Sequence, residues 1–141
     1  MRTIQATKAI FCGAAAAWLV AISAAAISAQ APKDAAAAKV KNPVKATAES
    51  IDAGKTAYNK YCKFCHAEGG TGNGALAPKD THPPSLVDAT WDHGSTDGEI
   101  FASIKDGIGP KFDMKAMKAK MTNDTDIWNV VNYLRSLGPK K

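Results

Sequence analysis

The chain has 141 residues, 45% hydrophobic, 22% charged and only 7% aromatic, with 18 Lys plus Arg against 13 Asp plus Glu and a formal charge of +5. At roughly 100 to 200 residues per domain this is one folded unit with appendages; both charge signs are scattered without a run of five, which excludes a disordered polyelectrolyte and a nucleic-acid arm. Three cysteines, Cys12, Cys62 and Cys65, cannot close into pairs, so a disulfide scaffold is excluded as well.

Residues 1–29 have the grammar of a signal peptide. Arg2 and Lys8, with no acid, precede 21 uncharged residues, 9–29, ten of them alanine. A small-residue exit fits after Ala29 or Ala31, and Pro32 directly after Ala31 favours the first. The stretch is also long enough to span a bilayer, so an uncleaved anchor over 9–29 is the alternative. Both readings export the chain, to the periplasm or beyond. Cys12 follows Phe11 rather than the small residue of a lipoprotein site and receives no role. Cleavage removes Arg2 and Lys8 and lowers the charge from +5 to +3. Residues 30–49 are Ala, Lys and Pro with almost no bulky side chain, which predicts a flexible linker.

Residues 50–141 hold eight of the ten aromatics and form the predicted domain. A domain of roughly 90 residues buries a modest share of its surface and often needs a metal or covalent staple. A first helix is predicted from Ser50 as N-cap, with Ile51, Gly54, Tyr58 and Tyr61 on one face. Gly54 costs about 1 kcal/mol relative to Ala there, which points to another helix crossing closely. Residues 68–94 are rich in Gly and Pro with little periodicity, and His82 and His93 read as loop residues. A second helix starts at Thr96 with Glu99 completing a capping box, carries Ile100, Phe101 and Ile104, and stops at Gly107. A third opens near Thr122 or Asn123, and Ile127, Val130, Val131 and Leu134 form its apolar stripe before Gly138 and Pro139. No strand is predicted.

Cys62, Lys63, Phe64, Cys65 and His66 stand at the end of the first helix. Two thiols at this spacing reach the vinyl groups on one haem edge, and the adjacent histidine then lies under the iron. A thioredoxin-like pair would need a strand before it and a helix starting at the first cysteine. A zinc site would have only His82 and His93 to add in the exported chain. A disulfide within the motif would leave His66 unexplained. One covalent haem c is therefore the expected cofactor.

On these residues the sequence resembles the small monohaem class I c-type cytochromes of exported bacterial proteins. The resemblance runs over residues 50–137: Gly54 and Tyr58 before the motif, Pro84-Ser85-Leu86 after it, Gly107, a methionine seven residues before Met121, and the Ile-Trp-Asn-Val-Val-Asn-Tyr-Leu-Arg-Ser-Leu run over 127–137. It implies an all-α class I cytochrome c fold, three to five helices around the haem, with the first and last helices crossing at Gly54 against Tyr133. It also implies Met/His ligation, in which a soft thioether favours ferrous iron and raises the potential. Met114 is the expected distal ligand and Met117 the fallback, with Met121 in the core. Each is followed by Lys or Thr where the family usually has proline. As a set, the three methionines could alternatively hold Cu(I). The family's Pro-x-Leu element assigns the Pro84 carbonyl as acceptor for the His66 ring, with Pro78 as fallback, and Leu86 as a porphyrin contact. Trp91 is expected to reach a haem propionate or simply to pack.

Lys111, Lys115, Lys118 and Lys120 surround the methionine loop and could steer an acidic redox partner, or form an ordinary solvated face. The functional expectation is a monomeric, non-catalytic electron carrier between a redox donor and acceptor. The alternatives are a peroxidase-like or ligand-binding haem protein, and a cytochrome subunit of a dehydrogenase or oxidase complex.

Overall fold

The computed structural model describes residues 34–80, 83–88, 91–109 and 114–138. The predicted signal peptide or anchor over 1–29, His82 and Lys111 lie outside these residues. Four helices occur among the described residues: α1 (Ala48–Tyr61), α2 (Lys63–His66), α3 (Asp97–Asp106) and α4 (Asp124–Leu137). The sole extended pairing among them is an isolated antiparallel bridge between Ile108 and Met114.

The all-α expectation holds, and so do most helix limits. At α3 the Thr96 hydroxyl accepts from the Glu99 N–H while the Glu99 carboxylate accepts from the Thr96 N–H, the full capping box. Asn123 caps α4 by accepting from the Thr125 N–H at 3.0 Å. Its stripe of Ile127, Val130, Val131 and Leu134 is buried. At Gly54 an added Cβ would run into the Asn129 carbonyl and stand 2.9 Å from the Tyr133 Cβ. The glycine is thus what lets α1 and α4 cross closely. One turn later the Tyr58 and Tyr133 rings meet at 5.2 Å, and Phe101 of α3 stacks on Trp128 of α4 at 4.0 Å.

Two expectations are corrected. α1 begins earlier than predicted, because Thr47 is its N-cap and its hydroxyl accepts from the Ser50 N–H. Ser50 turns inward instead, donating to Asn129 Oδ1 at 2.7 Å and accepting from Asn132 Nδ2 at 2.8 Å. The second correction is the linker, which over residues 34–47 is a packed arm. The Asp34 carboxylate accepts from the Ala36 and Ala37 N–H groups at the start of a 3-10 turn, Ala37–Lys39, and that turn lies against Gly98 of α3, where a Cβ would collide with the Ala37 carbonyl. Asn42 then donates to Asn132 Oδ1 at 2.8 Å and to the Trp128 carbonyl at 3.2 Å, while Asn132 donates to the Val44 carbonyl at 3.0 Å. Small apolar contacts from Ala37 and Val44 add to these polar bonds, and neither gives the periodic bulk by which a sequence signals docking, which is why the arm's composition suggested a tether.

Asn132 is 6% exposed and ties α4 to both the arm and α1. Asn132→Ala would leave the Val44 carbonyl, Ser50 and Asn42 short of partners, at a cost of about 2–3 kcal/mol by the penalty for unmade buried hydrogen bonds. Denaturant unfolding of the holoprotein checks this, and Asn132→Asp should cost no less, because it keeps an acceptor for Asn42 but buries a carboxylate with an oxygen in place of the donor to the Val44 carbonyl.

Candidate functional site

Cys62 is both the last cap of α1 and the first of α2, and its carbonyl accepts from the N–H groups of Cys65 at 3.1 Å and His66 at 3.0 Å. A single helical turn therefore gathers Cys62, Cys65 and His66. Both thiols are free, Cys62 buried and Cys65 half-buried beside the Leu76 carbonyl at 3.6 Å. Burial, with Cys65 next to it, pushes the Cys62 thiol up to about 12. Burial also lowers the His66 pKa, which favours the neutral imidazole, the form that ligates a metal.

His66 Nδ1 is buried with no hydrogen-bond partner. The bond expected to the Pro84 carbonyl is thus not made, nor is one to Pro78. The backbone after His66 folds onto Gly72, whose N–H donates to the His66 carbonyl at 3.0 Å and whose α-carbon seats against the Pro83 carbonyl. The Pro-x-Leu element is nonetheless brought to the motif, because the Leu86 N–H donates to the Gly70 carbonyl at 2.7 Å. Leu86 and Trp91 both pack on the core cluster.

Met114 is held beyond α3 by its bridge to Ile108, with N–H to carbonyl distances of 2.9 and 3.4 Å. Gly107 makes the approach possible, since a Cβ there would stand 2.6 Å from the Met114 carbonyl. The Met117 N–H donates to the Ile104 carbonyl at 2.9 Å, so both methionines are fixed to the end of α3 and both are partly buried. Met121 is 3% exposed in the core, as expected. Lys115, Lys118 and Lys120 are exposed, and Lys118 pairs with Asp106 at 3.1 Å on an open surface, where such a pair contributes little. A cavity of about 230 Å³ between the arm and α3, lined by Asp34, His93, Glu99, Ser103 and Asp106 among others, includes none of the motif residues.

Sequence reasoning missed the Tyr58 hydroxyl, which donates to the Ala67 carbonyl at 2.7 Å directly behind the motif. The available signal was a tyrosine on the buried face of α1, since a buried phenol needs a partner. Two free thiols and a neutral imidazole with a buried, partnerless nitrogen, all on one turn, fit a covalently held haem. Among the described residues no cluster of three or more His, Cys, Asp or Glu could hold a metal ion by itself, which leaves the zinc reading without ligands there.

The family model described as "Cytochrome C oxidase, cbb3-type, subunit III" matches residues 49–134, more than half of the chain. The chain belongs to this cytochrome family. Subunit CcoP of the cbb3-type cytochrome c oxidase of Rhodobacter capsulatus is 32% identical over 92 residues, 59% of this chain and 29% of that protein. The chain thus spans less than a third of this curated relative. Among solved structures, a chain of the Kuenenia stuttgartiensis reducing HAO-like protein complex matches with a TM-score of 0.58 and 26% identity, covering 71% of this chain and 50% of the other. A c-type cytochrome matches at 0.50 and 26%, covering 61% and 98%. Cytochrome CL from Methylophaga aminisulfidivorans shares the fold at 0.51 and 23%, covering 63% and 53%. The cytochrome domain has the class I fold, and its cofactor is a covalently bound haem c, with Cys62 and Cys65 at the required spacing.

Proposed function

We propose that this cytochrome domain carries single electrons between redox proteins outside the cytoplasm and catalyses no reaction of its own. The observation that carries the reading is the turn that unites Cys62, Cys65 and a His66 whose buried nitrogen has no protein partner. Bound haem supplies a one-electron iron couple. Cys62 and Cys65 would anchor it, and His66 would ligate its iron. Met114 would be the second iron ligand, with Met117 the fallback; backbone bonds fix both at the end of α3, and the seven-residue offset to Met121 favours the first. Leu86 and Trp91, which pack on the core cluster, would lie against the haem and help to exclude water. If His66 and a methionine both held the iron, no open coordination site would remain for substrate, which would separate a carrier from a peroxidase-like protein. Incubating the ferric holoprotein with cyanide and with hydrogen peroxide tests this. A carrier leaves the spectrum unchanged and turns over no peroxide, whereas rapid binding or turnover would replace the carrier by the enzyme reading.

Export to the periplasm is supported by the charge and apolar pattern of residues 1–29, and among the described residues no helix is long and apolar enough to cross a membrane. Lys115 and Lys120 form the docking collar, and Lys118 contributes less because Asp106 faces it; Lys111 lies outside the described residues. Lys115→Glu with Lys120→Glu should slow association with an acidic redox partner by on the order of tenfold at low salt. The difference should fade as ionic strength shortens the Debye length to about 3 Å at 1 M. Stopped-flow electron exchange at several salt concentrations measures it, and a rate independent of salt would remove the collar.

A second reading has a specific observation in its favour: the curated relative is an oxidase subunit more than three times as long as the matched region. In that reading the domain works docked in an oxidase or dehydrogenase complex. Membrane fractionation with N-terminal sequencing of the mature chain separates the two, since a free carrier begins near residue 30 and stays in the soluble fraction.

A further inference from the structure

Tyr58 lies on α1 one turn before Cys62 and is 1% exposed. Its hydroxyl donates at 2.7 Å to the carbonyl of Ala67, the residue that directly follows His66. Ala67 is the only residue other than glycine among the described ones with a positive φ, at φ 63° and ψ 167°. That region is essentially reserved for glycine, and an alanine remains there only when its surroundings over-determine it. Three donors converge on this corner. Besides Tyr58, the Gly70 N–H reaches the Ala67 carbonyl at 3.3 Å and the Gly72 N–H reaches the His66 carbonyl at 3.0 Å. The two glycine donors belong to the loop itself, so they move with it. Tyr58 alone of the three ties the corner to a different element, and α1 is in turn fixed on α4 through Gly54 and the Tyr58–Tyr133 ring contact at 5.2 Å.

We propose that Tyr58 is a positioning residue: its hydroxyl holds the Ala67 peptide in this conformation and so sets the orientation of the His66 imidazole. The inference rests on the reading that His66 ligates the haem iron. Without the hydroxyl, Ala67 is free to relax toward negative φ. The peptide joining it to His66 then rotates and carries the ring with it. A glycine at 67 occupies the same conformation without penalty and makes the hydroxyl dispensable.

The test uses the holoprotein in four forms: wild type, Tyr58→Phe, Ala67→Gly and the double variant. Ferric electron paramagnetic resonance and the reduction potential report ligand orientation, and thermal unfolding is followed in parallel. The expected result is a shifted ferric signal and potential in Tyr58→Phe, wild-type values in Ala67→Gly, and a return to wild-type values in the double variant. A lower melting temperature in Tyr58→Phe with unchanged signal and potential would mean that the hydroxyl only stabilises, and would overturn the proposal. So would a double variant as shifted as Tyr58→Phe. Should Tyr58→Phe yield no holoprotein, recovery in the double variant supports the proposal and failure to recover contradicts it. A His66→Ala holoprotein with the wild-type spectrum would instead overturn the ligand reading beneath it, a result distinct from all of these.

Discussion

Cys62→Ser is expected to abolish the normal attachment of haem and to destabilise the domain more than Cys65→Ser does. Both substitutions remove a thiol that a haem vinyl group needs, and serine forms no equivalent thioether bond. They differ in what surrounds the side chain. Cys62 is 8% exposed and belongs to the core cluster with Tyr58, Ile104 and Val130, whereas Cys65 is half-buried beside the Leu76 carbonyl. A hydroxyl at 62 is therefore desolvated among apolar side chains, at roughly 1–3 kcal/mol. At 65 it has a carbonyl within reach. A domain this small draws much of its stability from the group at its centre, so loss of attachment and loss of folding should appear together. Extraction with acidified organic solvent, followed by denaturant unfolding of what remains, distinguishes the contributions. Cys62→Ala, which restores an apolar filler, should recover stability relative to Cys62→Ser without recovering normal attachment.

Met114→Ala is expected to remove the iron–sulfur bond while leaving the fold intact. The residue is partly buried, and its backbone is held by the bridge to Ile108, which an alanine keeps. Loss of a thioether ligand should erase the weak ferric charge-transfer band near the red end of the visible. It should lower the potential by on the order of 100 mV, within the roughly 0.8 V that axial ligands command. The iron should then accept small exogenous ligands. Met117→Ala should keep the band and move the potential only slightly. The reverse pattern in the two variants would shift the ligand by three residues to Met117, whose N–H is fixed to the Ile104 carbonyl.

Those features of the molecule that are local were legible in the sequence. The Thr96 and Glu99 capping box, the Ile127, Val130, Val131 and Leu134 stripe and the stop at Gly107 each follow from residues within a few positions of one another. Gly54 was legible for a different reason, because a helix-interior glycine without a capping role implies close approach, and Tyr133 supplies it. The arm at 34–47 was hidden because Asn42 and Asn132 are far apart in sequence, and a chain without bulky side chains gives no periodic signal of docking. Ser50 misled as a cap because its hydroxyl is claimed by Asn129 and Asn132 across the α1–α4 crossing. The haem motif was legible in full, its surroundings less so. The turn around Gly72, which sets the His66 carbonyl and the Pro83 carbonyl on the same glycine, depends on backbone geometry that the loop composition only hints at.

With His66 and a methionine as the proposed ligands of one covalent haem, the domain should be a reversible one-electron carrier. A redox titration of the purified holoprotein, followed by visible absorbance, tests it most directly. Such a carrier gives a single one-electron wave, superimposable in the oxidative and reductive directions, with the ferric charge-transfer band present at the start and restored at the end. A ferric form that lacks the band, or a titration that changes ligation irreversibly, would contradict it.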